Sequence, residues 1–131
     1  MAVQLAVSTR NARLDAIETD LGADPDLEIR TGAAPADCAT ADSGTLLCSM
    51  QLPNDAFAAA GSGAKAKSGT WSGTAGAAGT AAHFRVKTAA GVCKLQGSVG
   101  QGSGDLQLDN TNIAIGQTVT VTGFTLTDGN A

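Results

Sequence analysis

Tyrosine is absent from this 131-residue chain, and one tryptophan and three phenylalanines make up its aromatic complement. A nucleic-acid surface interleaves aromatics with an excess of basic residues. Here the balance is acidic, eight Lys and Arg against twelve Asp and Glu, with a pI of about 4.6, so nucleic acid is not expected as a partner. Histidine occurs once, as His83, and no Gly-x-Ser-x-Gly elbow accompanies it, which leaves nucleophilic catalysis without its parts. Cys38, Cys48 and Cys93 are odd in number and contain no Cys-x-x-Cys pair, which suits neither a disulfide framework nor a zinc site. Reduced, partly buried thiols are the expectation. "GSGAKAKSGT" fails the Walker spacing, and Asp105, Asp109 and Asn110 lack the close alternation of a calcium loop. No enzyme activity, metal or cofactor is therefore expected. No apolar run is long enough to span a membrane, and the first residues lack the basic and apolar regions of a signal peptide. No membrane partner and synthesis in the cytoplasm follow as expectations.

What is present is small and unevenly charged. Leu, Ile, Val and Phe total 25 residues, matched by 25 alanines, so the core is thin and a partner or self-assembly is expected to add stability. Residues 1–64 carry three basic and nine acidic residues, and residues 65–131 carry five and three. All five of the later cations lie between Lys65 and Lys94, a stretch without a carboxylate. Opposite halves suggest head-to-tail contacts between copies.

Periodicity divides the chain into an arm with a short helix, residues 1–24, and a body, residues 25–131. Val3, Leu5 and Val7 alternate as an extended arm or strand. "STRNARLDAIETDLG" reads as a helix with Ser8 as cap, Leu14, Ile17 and Leu21 on one stripe, and Gly22 at its end. Arg10 and Arg13 near its start and Glu18 and Asp20 near its end oppose the helix dipole, so it should dock on something. "DLEIR" places Leu27 and Ile29 inward, and a 14-residue loop of small residues follows. "TLLCSMQLP" places Leu46, Cys48, Met50 and Leu52 on one face, "NDAFAAAGSG" allows one or two helical turns, and a flexible stretch runs on to Ser68. Trp71 stands between glycines as a candidate for exposure.

"TAAHFRVKTAAGVCKLQGSV" reads as a β-hairpin. Phe84, Val86, Cys93, Leu95 and Val99 face inward in this reading, and His83, Arg85, Lys87 and Lys94 form an outward basic face. In "TVTVTGFTLT" the alternation slips at Gly123. A bulge there keeps Val119, Val121, Phe124 and Leu126 inside and leaves an uncharged threonine row outside, a surface suited to packing against protein. If that bulge needs positive φ, Gly123→Val should cost about 1–3 kcal/mol. Seven or eight short strands make the expected fold all-β, a β-sandwich or jelly-roll-like domain with a short N-terminal helix.

Several segments, "STRNARLDAIETDLG", "LEIRTGAAPADCATADSGTLL", "KSGTWSG", "GTAAHFRVK", "LQGSVG", "LDNTNIAIGQTVTV" and "FTLTDGNA", together resemble a family of small tailed-bacteriophage virion structural proteins. The resemblance implies a head cement or decoration protein on the capsid surface that binds the major capsid protein and copies of itself, as a dimer or trimer. It implies no catalytic residue. Arg10, Arg13, Leu14, Ile17, Arg85, Lys87 and Lys94 are the candidate partner contacts. The alternatives are a tail- or fibre-associated virion protein and a small receptor- or carbohydrate-binding module.

Overall fold

In the computed structural model, residues 3–128 are described; Ala2 of the alternating N-terminal segment and "GNA" of the closing one lie outside them. One helix, α1 (Val7–Leu21), precedes ten strands: β1 (Asp26–Arg30), β2 (Leu46–Gln51), β3 (Ala64–Ala66), β4 (Ser72–Thr74), β5 (Gly79–Thr80), β6 (His83–Lys87), β7 (Cys93–Gly100), β8 (Leu106–Leu108), β9 (Asn112–Ile113) and β10 (Thr118–Thr127). Eight form one mixed sheet, ordered β2-β1-β6-β7-β8-β10-β3, with β4 also on β10; β5 and β9 pair separately. The protein is all-β with a short N-terminal helix, as expected. Its sandwich-like layering comes from one sheet curling back on itself. β4 lies so close over β2 that a Cβ on Gly73 would stand 2.9 Å from Met50 Cβ and 3.1 Å from Cys48 Sγ, an approach only glycine permits.

The helix begins two residues earlier than a Ser8 cap would place it, after Ala6, and no side chain caps it, so Ser8 lies inside it. Gly22 ends it in the left-handed region (φ 73°), donating its N–H to Glu18 O. Residues 3–6 form no strand, and "NDAFAAAGSG" makes a turn and bridges instead of helix.

β6 is central to the design. Leu27 and Ile29 pair with Val86 and Phe84 on the core face, while Glu28 and Arg30 pair with Arg85 and His83 on the other. Two bulges shift neighbours out of the simple alternation. Between β1 and β2 the register slips after Ile29, so Leu46 opposite Arg30 is exposed and Leu47 enters the core. Between β6 and β7 it slips after Val86, so Leu95 stays on the core side but Cys93 falls opposite Lys87, on the reverse face. The inward placements of Leu46 and Cys93 are thereby corrected.

The slip in β10 is a bulge, between Val121 and Gly123 against Leu108 and Gln107. Val119, Val121 and Phe124 are buried, Leu126 packs against them, and Thr118, Thr122, Thr125 and Thr127 are exposed. Gly123 nevertheless lacks positive φ, and a Cβ there would meet nothing nearer than Gln107 Oε1 at 3.6 Å. Gly123→Val is therefore expected to change unfolding free energy by less than about 1 kcal/mol, measured by urea denaturation. A neutral result is what this bulge geometry requires, and it would not argue against the bulge.

Candidate functional site

The expected outward basic face is covered. His83 and Arg85 are 1% and 2% exposed, because the loop of residues 31–45 folds over the reverse face of β1 and β6 as a lid. Asp42 is its keystone. Its carboxylate receives Arg85 Nη1 at 2.5 Å, Lys87 Nζ at 2.6 Å and Arg30 Nη2 at 3.2 Å. Glu28, from the strand beneath, takes Arg30 Nη2 at 2.9 Å and Lys87 Nζ at 3.0 Å. The three cations outnumber the two carboxylates, and lid carbonyls absorb the excess: Arg85 Nη2 donates to Cys38 O at 2.9 Å and Asp37 O at 3.2 Å. Gln96 Nε2 donates to Pro35 O at 2.7 Å. His83 Nδ1 lies 2.7 Å from Gly32 O; a carbonyl only accepts, so Nδ1 carries the proton and the imidazole anchors the start of the lid.

The hydrogen bond from Lys87 pulls the Asp42 carboxyl down to about 2; burial opposes the shift, and Arg85 and Arg30 reinforce it. For Arg85 and Lys87 burial works against the charge and is the largest single influence, but Asp42 acting together with Cys93 on Arg85, and with Glu28 on Lys87, outweighs it and raises both pKa values.

A second buried cation ties the helix to the body. Lys65, placed in a stretch expected to be flexible, sits in β3 at 2% exposure. Its Nζ contacts Asp15 Oδ1 at 2.7 Å, Glu18 Oε2 at 2.9 Å and Ala58 O at 3.0 Å. Burial would lower its pKa, but the bonds it donates to Asp15 and Glu18 together leave it raised. The charges that oppose the helix dipole thus serve a partner across the fold.

The candidate contact residues are consequently scattered. Leu14 is buried and Ile17 packs against the core. Arg10 Nη1 donates to Asp128 O at 3.1 Å, and Arg13 pairs with the Asp128 carboxylate at 3.2 Å while staying largely exposed. Arg85 and Lys87 belong to the lid cluster, and Lys94 meets Asp20 at 3.1 Å. Charge asymmetry read as contact between copies is largely satisfied within the chain, since Lys65, Arg85, Lys87 and Lys94 all find carboxylates from residues 1–64. Arg30, Glu28 and Asp42 carry no local signal in the sequence, and Lys65 stands out there only as the edge of the cation-only stretch. The one signal available was that same imbalance: a cation-only stretch and an acid-rich half can neutralise each other in one molecule.

Charge stays exposed at Asp24, Asp55, Asp105 and Asp109, but the outer face of β10 carries none. The threonine row of β10 is preceded by Ile115, 72% exposed in the turn before the strand. Trp71, the candidate exposed aromatic, is buried in a cluster with Phe57 and Phe124. Among the described residues no group of three or more His, Cys, Asp or Glu could hold a metal, and no helix is long and apolar enough to cross a membrane. No protein-family model, curated protein or solved structure matches the chain.

Proposed function

We propose that this chain is a structural protein of a tailed-bacteriophage virion, a cement or decoration protein that binds the outer shell and bridges major capsid proteins, with no catalytic role. The observation that carries this reading is the exposed threonine row along β10, uncharged over the longest strand of the protein and continued by Ile115. Such a surface forms hydrogen bonds and van der Waals contacts without desolvating charge, which suits many weak contacts repeated by capsid symmetry. The resemblance of several sequence segments to small phage virion proteins points the same way. A tail or fibre location remains the second reading. A carbohydrate-binding module is less favoured, because the aromatic such a site would use, Trp71, is inside the core.

Quantitative mass spectrometry of purified particles tests the proposal. A copy number commensurate with that of the major capsid protein is expected. A few copies per particle would place the chain in the tail, and absence from particles would overturn a virion role. Replacing Thr118, Thr122 and Ile115 together by Lys should abolish decoration of undecorated shells while leaving the circular dichroism spectrum unchanged.

A further inference from the structure

The odd cysteine count looks different once the chain is folded. Cys48 is alone in the core at 1% exposure, beneath Gly73. Cys38 and Cys93 are half-buried and line one cavity of about 430 Å³ between the lid and the hairpin, together with Asp42, Arg85 and Lys87. Both are fixed about the same guanidinium. Arg85 Nη2 donates to the Cys38 carbonyl at 2.9 Å, and the bulge after Val86 turns Cys93 toward the lid, opposite Lys87 and within reach of Arg85. The Cys93 thiol donates to Leu95 O at 3.3 Å, and the Cys38 side chain is close enough to act on it across the cavity both residues line.

We propose that Cys38 and Cys93 form a disulfide that fastens the 31–45 lid to the sheet it covers, leaving Cys48 as a thiol. The reaction with a small-molecule disulfide such as oxidised glutathione balances as two sequential exchanges. The Cys38 thiolate attacks the glutathione disulfide and releases one glutathione thiolate. The Cys93 thiolate then attacks Cys38 Sγ and releases the second, and the two protein protons pass to the departing thiolates. Burial and the adjacent Cys38 thiol raise Cys93 to about 11 against the pull of Arg85, which fits Cys93 as the second, resolving sulfur. A chain in a reducing compartment would hold the dithiol; one outside it would hold the bridge. The proposal does not depend on the virion reading.

The test uses the full chain, reduced and then incubated with oxidised glutathione. Intact mass should fall by two hydrogens, and peptide mapping should join the Cys38 and Cys93 peptides. The two residues are about 55 positions apart, a span whose closure should raise the melting temperature by roughly 10 °C, reversed by dithiothreitol. Cys48→Ala should preserve the bridge and Cys93→Ser should abolish both the mass loss and the thermal shift. Persistent glutathione adducts at Cys38 and Cys93, a bridge that includes Cys48, or no oxidation would each overturn the proposal.

Discussion

Asp42→Ala is expected to destabilise the protein by about 3–5 kcal/mol, the cost of leaving buried cations without their partner. Arg30 and Lys87 would then share only Glu28, and Arg85, which has almost no access to water, would keep only the carbonyls of Asp37 and Cys38. The lid carbonyls that receive Arg85 are held by the same contact, so the loss should spread through residues 31–45. Urea denaturation followed by circular dichroism measures it, with Asp20→Ala as the control. Asp20 pairs with Lys94 at the surface, and its removal should cost less than about 1 kcal/mol. The effect also has a pH signature. Asp42 is depressed to about 2 from an ordinary 3.8, so its contribution is fully present above about pH 4 and disappears as pH falls toward 2. Since the side chain is 32% exposed, solvent screening reduces that linked contribution to about 1–2 kcal/mol. Melting temperatures of wild type and Asp42→Asn should converge between pH 4 and 2; parallel curves over that range would remove Asp42 from the linkage.

Trp71→Ala is expected to cost about 3–5 kcal/mol, as for other buried large-to-small aromatic changes. Its ring meets Phe57 edge-on at 5.3 Å between centroids and Phe124 at 5.8 Å, and Phe124 in turn meets Phe84 at 5.3 Å. With four aromatics in the whole chain, this one cluster holds them all. The indole also donates from Nε1 to Ser68 O at 3.2 Å, and the Trp71 carbonyl accepts the N–H of Val121 at 2.9 Å. Trp71→Phe should recover more than half of the loss, because volume and ring contacts are largely kept. Chemical denaturation by circular dichroism decides it. An alanine variant within about 1 kcal/mol of wild type would mean that the cluster is not the centre of the core.

Alternation made much of the core legible: Leu27, Ile29, Phe84, Val86, Leu106, Leu108 and the β10 residues all face where a period of two puts them. The Gly123 bulge was readable because the slip and its compensation both fall within one strand. The bulges beside Leu47 and Lys94 were not, since each is fixed by register against a distant partner strand. The lid was opaque for a different reason. Ala, Gly, Thr and Asp over residues 31–45 have no periodicity, so nothing local says that they cover a sheet face. Without that cover, a His-x-Arg-x-Lys alternation can only be read as facing water. The buried cluster is set by pairs such as Arg85 with Asp42 and Lys65 with Asp15, more than 40 positions apart in each case. Composition reported the charges correctly and left open whether their complements lay in the same molecule.

The ladder of β10 has a consequence for synthesis. Among the described residues β3 and β4 pair with no strand except β10, and β8 has otherwise only a two-residue parallel pairing with β7. All three leave the ribosome before the strand that completes them. Until residue 127 emerges they present unpaired edges, and Trp71 and Phe57 have no Phe124 to close over them. Folding of this half of the sheet must therefore wait for β10, with loop closure over about 45 residues between β4 and β10 preceding any reward in contacts. A nascent chain stalled before Thr118 should be open to protease across β3 and β4, and protection there should appear only after β10 has cleared the exit tunnel.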